Sequence, residues 1–471
     1  MLHRGPVSGL LTDLYELTMA AGYVQNRFDA TATFELFVRH LPHRRNYLVA
    51  AGLEQALDFL ENVRFFDEDI SYLCLLPAFK HVRSEFFDYL SRFRFHGDVW
   101  ALPEGTIFFP GEPLLRVTAP IADAQLVETS LLSILHFQTL IASKAARVTT
   151  AAAGRPVVEF GSRRAHGMHA GVLAARAAFI GGCQGTSNIY AGRHFGIPVY
   201  GTQAHSWIMA HADEAEAFRD FLDVFPDQST LLVDTYDVHA AIEKIILLGR
   251  KPGGVRLDSG DVLTDSLWVR KRLDRAGWND VQIFASGDLD EDRIEALVRS
   301  GARIDAFGVG AALSTSADSP YVGVIYKLVE VDLGSVVRSA AKFSQEKITY
   351  PGRKQVFRFV ADDGKFQSDV IGLDGESFPA SEPLLVPVMR AGRRLEGSGE
   401  DVASATEVAR DRDAASAAQA ARRRFLAGRE RLPDHVAALR AAEPPFPVRY
   451  SPRLEDLRQQ VQQALVKAAP I

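Results

Sequence analysis

An α/β fold centred on an irregular (β/α) barrel, with an α+β N-terminal domain and a helical C-terminal region, is predicted by three observations. Apolar strand-like segments alternate with helical ones from about residue 155 to 330, a pattern that implies parallel strands joined by helical crossovers. Only six such strands are clear, fewer than the eight of a regular barrel, so the barrel is expected to be incomplete. Polar clusters also recur at the strand ends: His205 after GIPVYGTQA, Arg256 to Asp261 in GGVRLDSGD, Ser286 to Asp288 in IFASGD, and Gly308 and Gly310 in DAFGVG. A barrel gathers its strands' C-terminal ends at one mouth, so these clusters predict a single site.

Taken in order, residues 1–150 open with a helix near Thr12 to Tyr23. A period-2 strand follows in TATFELFVRH, where Phe34, Leu36 and Val38 share a face. GLEQALDFLENV reads as a second helix, residues 96–118 as short strands broken by Gly and Pro, and ETSLLSILHFQTLIASKAARV as a long apolar helix. In the barrel region, 151–335, the strands are RPVVEF, IPVYG, TLLVD, GGVRLD, VQIFAS and IDAFGV. Residues 336–400 return to strands that join the N-terminal domain, and 401–471 form the helical region. There the run Arg422, Arg423, Arg424 reads as a solvated helix face.

The formal net charge of -6 provides no basic footprint, which argues against nucleic acid as a partner. Two cysteines, Cys74 and Cys183, cannot make a disulfide framework or a CxxC metal site, and a cytoplasmic setting is expected. Asp13 and Glu16 interrupt what would have to be a signal peptide's apolar core, and no run of about 18 apolar residues predicts a membrane span.

Glu159, Asp234, Asp237, Asp258, Asp261 and Asp288 fall at or just past strand ends, where carboxylates can bind sugar hydroxyls or hold Mg²⁺ through water. Asp237 and Asp261 stand where helix caps are placed, which leaves Asp258 and Asp288 as the stronger site candidates. Arg163, Arg164 and Arg256 can clamp a carboxylate or phosphate, or pair with neighbouring acids. Glycines in SGD and FGVGAA can present backbone N–H groups to a phosphate. No lysine ends a strand, which counts against a Schiff-base aldolase, and clustered His and Cys for a zinc hydrolase are missing.

The strings TDLYELTM (12–19), RNYLVAAGLE (45–54), EFGSRRAHG (159–167), GTSNIYAG (185–192), GTQAHSW (201–207), VRLDSGD (255–261), SGDLDE (286–291), FGVG (307–310) and YKLVE (326–330), in this order, make the chain resemble the nicotinate phosphoribosyltransferase family over nearly its whole length. The resemblance implies a type II phosphoribosyltransferase-like fold. It also implies transfer from 5-phosphoribosyl 1-diphosphate to nicotinate, the first step of NAD salvage from nicotinate, with Mg²⁺ and with ATP as co-substrate. Coupling would run through a phosphohistidine at His205, with Asp258 and Asp288 as the other catalytic residues, contacting ribose. Substrate-binding roles are implied for Tyr15 (reaching the ring from a partner subunit, hence a homodimer with shared sites), Phe160 (ring stacking), Arg163 or its neighbour Arg164, Thr202 and Arg256 (nicotinate), and Gly287, Gly308 and Gly310 (phosphate turns). Ala311 replaces a hydroxyl residue found in relatives, leaving backbone N–H groups to serve. Ser187 stands where nicotinamide-using enzymes place an aspartate, and so favours the acid over the amide. The competing expectations are a nicotinamide or quinolinate phosphoribosyltransferase and a catalytically silent phosphoribosyl-ligand binding protein.

Overall fold

The computed structural model describes residues 5–227, 229–343, 348–395 and 407–468. They group into two units, the first drawn from Met1–Leu140, Tyr321–Thr406 and Arg423–Ile471, the second from Ile141–Pro320 and Glu407–Arg422.

The first unit is built on antiparallel pairing. Its strand Thr31–Val38 lies between Pro113–Pro120 and Val324–Asp332 in a seven-stranded sheet. Phe34, Leu36 and Val38 enter the apolar core as their spacing predicts. The opposite face is buried too: Glu35 pairs there with the buried Lys354 at 2.7 Å. Helices Leu14–Gln25 and Leu53–Asn62 occupy the expected positions.

Residues 321–335, read with the barrel, belong to this first unit, because Val324–Asp332 finds its partner almost 300 residues upstream along the chain. Local periodicity carries no signal of such a pairing. Lys354–Val360 and Phe366–Leu373 pair in a separate four-stranded sheet, completed by Val448–Tyr450 from the region read as helical. In the arginine run Arg423 and Arg424 are exposed, as a solvated helix face requires, and two of the three side chains also reach backbone carbonyls. Arg424 donates to the Glu104 carbonyl in the first unit, and Arg422 donates to the carbonyls of Phe179 and Cys183 in the second. Guanidinium groups at these positions satisfy carbonyls that end other segments, a task invisible in the composition of one helix.

The second unit is the mixed α/β layer that carries the site. Its strands are β1 (Val157–Glu159), β2 (Gly185–Thr186), β3 (Thr230–Leu232), β4 (Gly254–Leu257), β5 (Gln282–Ala285) and β6 (Ala306–Val309). All pair in parallel in the order β3-β4-β5-β6-β1-β2, and among the described residues the array does not close into a complete barrel. Between them run helices α1 (Met168–Ile180), α2 (Ile189–Phe195), α3 (His205–Met209), α4 (Glu214–Val224), α5 (Val238–Leu247), α6 (Val262–Arg275) and α7 (Glu291–Arg299), with α8 (Ala311–Ser314) after β6. Short βα turns are closed by side-chain caps. Asn188, Asp237, Asp261 and Asp290 each accept the N–H three residues ahead, stabilising the first turn of α2, α5, α6 and α7.

The strand expected over Ile197–Tyr200 is not formed. Only Val199 bridges to Thr186, and the neighbouring paired strand is the two-residue β2. Pro198 has no N–H to extend a ladder. It offers its carbonyl to Thr186 at 3.0 Å, and the contact needs glycine opposite, since a Cβ on Gly185 would lie 2.3 Å from that oxygen.

Candidate active site

Strands β3, β4 and β5 end side by side, and their terminal residues are tied to one another. Arg256, in the penultimate position of β4, spends its guanidinium on four acceptors. Nε donates to Ser286 Oγ at 2.7 Å, Nη1 to Thr202 Oγ1 at 2.8 Å and to the Gln203 carbonyl at 3.1 Å, and Nη2 to Asp258 Oδ1. Ser286 in turn donates to Asp258 Oδ1 at 2.6 Å. Burial pushes the Asp258 carboxyl up, but the Ser286 hydrogen bond and the Arg256 charge outweigh it and hold the group below the ordinary carboxylate range.

Asp234, two residues past β3, braces the same corner: its Oδ2 accepts from the Asp258 N–H at 2.9 Å and from Ser259 Oγ at 2.6 Å. The other oxygen, Oδ1, is buried and has no hydrogen-bond partner among the described residues. His205 opens α3 with Nδ1 3.2 Å from Thr235 Oγ1 and Nε2 3.7 Å from Asp258 Oδ2.

An aromatic wall adjoins this polar group. Phe160, just past β1, packs against Phe284 at 5.5 Å between ring centroids, and the Arg256 guanidinium lies 6.0 Å from the Phe160 centroid. Gly308 makes room for it, because a Cβ there would come within 2.8 Å of both rings.

The turns around Phe160 and Ser187 are bound together by Glu159, which is fully buried. It accepts from the Gly161 N–H and from Thr186 Oγ1, and its carbonyl accepts the Ser187 N–H. Burial raises its carboxyl above the usual range.

Phe160, Thr202, His205, Arg256, Asp258 and Gly308 are thus brought together. Gly287 and Asp288 follow β5 in a turn with φ of +84° and +47°. A cleft of about 540 Å³ opens beside them and Asp258, walled by Val262 and Leu263 of α6 and Leu297 of α7. Gly310 caps α8 and Ala311 begins it. Arg163 and Arg164 both project to solvent from the turn after β1, so burial does not choose between them. Ser187 is half-buried at the start of α2. Tyr15 lies in the first unit on helix Leu14–Gln25, 46% exposed, with its hydroxyl hydrogen-bonded to Glu128.

Asp237 and Asp261 are helix caps, as their positions predict. Thr235, Gln203 and the bridging role of Ser286 were not anticipated. Gln203 and Ser286 sit within strand-end polar strings and Thr235 just past the strand TLLVD, but only three-dimensional pairing distinguishes them from ordinary turn residues.

Family models describe the same chain segments. The nicotinate phosphoribosyltransferase (NAPRTase) N-terminal domain matches residues 10–136 and the nicotinate phosphoribosyltransferase (NAPRTase) family model matches 156–356. The nicotinate phosphoribosyltransferase pncB2 of Mycobacterium tuberculosis is 48% identical over 401 residues, covering 84% of each chain. That of Bacillus subtilis is 44% identical over 361 residues, 74% of this chain and 73% of its own. The crystal structure of human nicotinic acid phosphoribosyltransferase superposes with a TM-score of 0.79 at 28% identity, covering 96% of this chain and 99% of that one.

Proposed function

The chain belongs to the nicotinate phosphoribosyltransferase family, and from that premise we propose that it transfers the phosphoribosyl group of 5-phosphoribosyl 1-diphosphate to nicotinate in NAD biosynthesis, with ATP hydrolysis coupled through His205. The observation that carries this reading is the convergence of an aromatic wall, a guanidinium, a carboxylate and an imidazole at the ends of β1, β4 and α3.

The pyridine ring rests against Phe160, and Arg256 beside it attracts the nicotinate carboxylate. The ring nitrogen attacks ribose C1, the bond from C1 to the diphosphate oxygen breaks, and nicotinate mononucleotide and diphosphate result. Asp258, kept ionised by Arg256 and Ser286, faces the oxocarbenium-like centre that develops at C1, together with Asp288. Mg²⁺ would neutralise charge on the leaving diphosphate. The carboxylates of Asp258 and Asp288 and the unpartnered Asp234 Oδ1 suit its water shell.

A nitrogen of His205 takes the terminal phosphoryl group of ATP, releasing ADP, and water later removes it as phosphate. Ser187, uncharged near the ring, spares the nicotinate carboxylate the repulsion an aspartate would impose. Tyr15, far from these residues in sequence and exposed, is assigned to the site of a second copy, which makes the working enzyme a homodimer in the cytoplasm.

The test is product formation from nicotinate and, in parallel, nicotinamide, each with 5-phosphoribosyl 1-diphosphate and Mg²⁺, with and without ATP. Turnover of nicotinate that rises with ATP supports the assignment. Absence of turnover with either ring overturns it in favour of a silent binding protein.

A further inference from the structure

We propose that Ser286 is a positioning residue whose single hydroxyl holds Arg256 and Asp258 in register, so that the acceptor and sugar sides of the site are set together. The inference rests on the functional reading above for which substrate each partner serves. Its structural part stands on geometry alone.

A serine hydroxyl has one proton to donate and lone pairs to accept with. Here the proton goes to Asp258 Oδ1 at 2.6 Å and a lone pair receives Arg256 Nε–H at 2.7 Å, while Arg256 Nη2 reaches the same Oδ1. The three groups close a triangle that fixes the plane of the guanidinium. Ser286 is 2% exposed, which leaves little room for water to replace it.

The backbone carrying it is equally constrained. Ser286 N–H donates to the Leu257 carbonyl at 2.9 Å, and the next residue, Gly287, is pressed so closely to residue 258 that a Cβ would lie 1.7 Å from the Asp258 carbonyl oxygen. The backbone that carries the hydroxyl is therefore held against the end of β4. Without it Arg256 keeps its Nη1 bonds to Thr202 and Gln203 and can pivot about them, which moves the group facing nicotinate and frees the carboxylate facing ribose.

Ser286→Ala is expected to raise KM for both nicotinate and 5-phosphoribosyl 1-diphosphate by on the order of tenfold, the factor for losing a hydrogen bond to a charged group, and to lower kcat as well, because Asp258 faces the charge that develops in the transition state. Thr202→Val removes an acceptor from Arg256 alone and raises only the nicotinate KM. Ser286→Thr restores the hydroxyl and both KM values. A Ser286→Ala enzyme that loses kcat without a shift in either KM, or shifts one KM alone, overturns the proposal.

If the unsubstituted enzyme does not use nicotinate, the functional reading fails instead, and the crystal structure of Ser286→Ala decides the positioning role. Arg256 turned away from Asp258 supports it, and an unmoved Arg256 refutes it. The same structure decides the matter should Ser286→Thr not fold.

Discussion

His205 faces Asp258 with Nε2 3.7 Å from Oδ2, too far for a hydrogen bond, while Nδ1 rests 3.2 Å from Thr235 on the other side of the ring. The imidazole is thus oriented through Nδ1, and whatever its Nε2 edge carries is felt by the carboxylate held by Arg256 and Ser286. In the proposed reaction this relationship joins the ATP step to the glycosyl step, because a phosphoryl group on His205 adds negative charge beside Asp258.

Removing the nucleophile separates the two steps. His205→Asn is expected to abolish stimulation by ATP and to leave no acid-labile phosphoenzyme after incubation with ATP labelled at its terminal phosphate. A labelled protein that survives the substitution would place the phosphoryl group elsewhere.

Gly308→Ala puts a methyl group within 2.8 Å of Phe160 and Phe284, both half-buried, so a ring must shift to admit it. Displacing Phe160 should raise the nicotinate KM about tenfold, since aromatic contacts contribute roughly 0.5–1.5 kcal/mol beyond burial. The KM for 5-phosphoribosyl 1-diphosphate serves as the control and should move little.

For Gly287→Ala the expected loss is one of stability as well as activity. Its φ of +84° costs an alanine about 1–3 kcal/mol, and the methyl group cannot coexist with the Asp258 carbonyl 1.7 Å away. Denaturant unfolding should show a markedly lower midpoint.

Lys144, Arg147 and Glu291 form a buried ion network in the second unit, with the Lys144 and Glu291 side chains 2% and 1% exposed and Asp318 2.7 Å from Lys144. Lys144→Met leaves Glu291 with Arg147 as its one remaining partner in this network and should destabilise the protein by up to about 3–5 kcal/mol. Burial raises the Glu291 carboxyl, yet Lys144 and Arg147 outweigh it and hold the group below its ordinary value of about 4.3. Because the folded value is the lower one, the contribution is complete above that ordinary value and is lost as pH falls through the folded one. Unfolding midpoints measured down the acid limb should therefore fall for the wild type and fall less steeply in Lys144→Met.

Ser187→Asp should lower kcat/KM for nicotinate at least about tenfold, as a like charge beside the substrate carboxylate would. Nicotinamide, uncharged, should be far less affected. Equal losses for the two rings would remove Ser187 from the choice of substrate.

Much of the site was legible in the chain because its chemistry is local in sequence. Arg256 on β4 and Asp258 just past its end lie two apart, so period-2 geometry puts them on one face, and Asp237 and Asp261 announce themselves as caps by immediately preceding helical segments. The alternation of strands and helices likewise determined a parallel α/β layer.

What the sequence could not decide are contacts between distant segments. Periodicity does not reveal that Val324–Asp332 pairs with Thr31–Val38, that Pro198 ends a ladder against Gly185, or that Thr235 meets His205 and Ser286 meets Arg256. Side-chain type and spacing report which face a residue takes within its own element. Which partner it meets there is set by the packing of elements far apart along the chain, and only the tertiary structure holds that information.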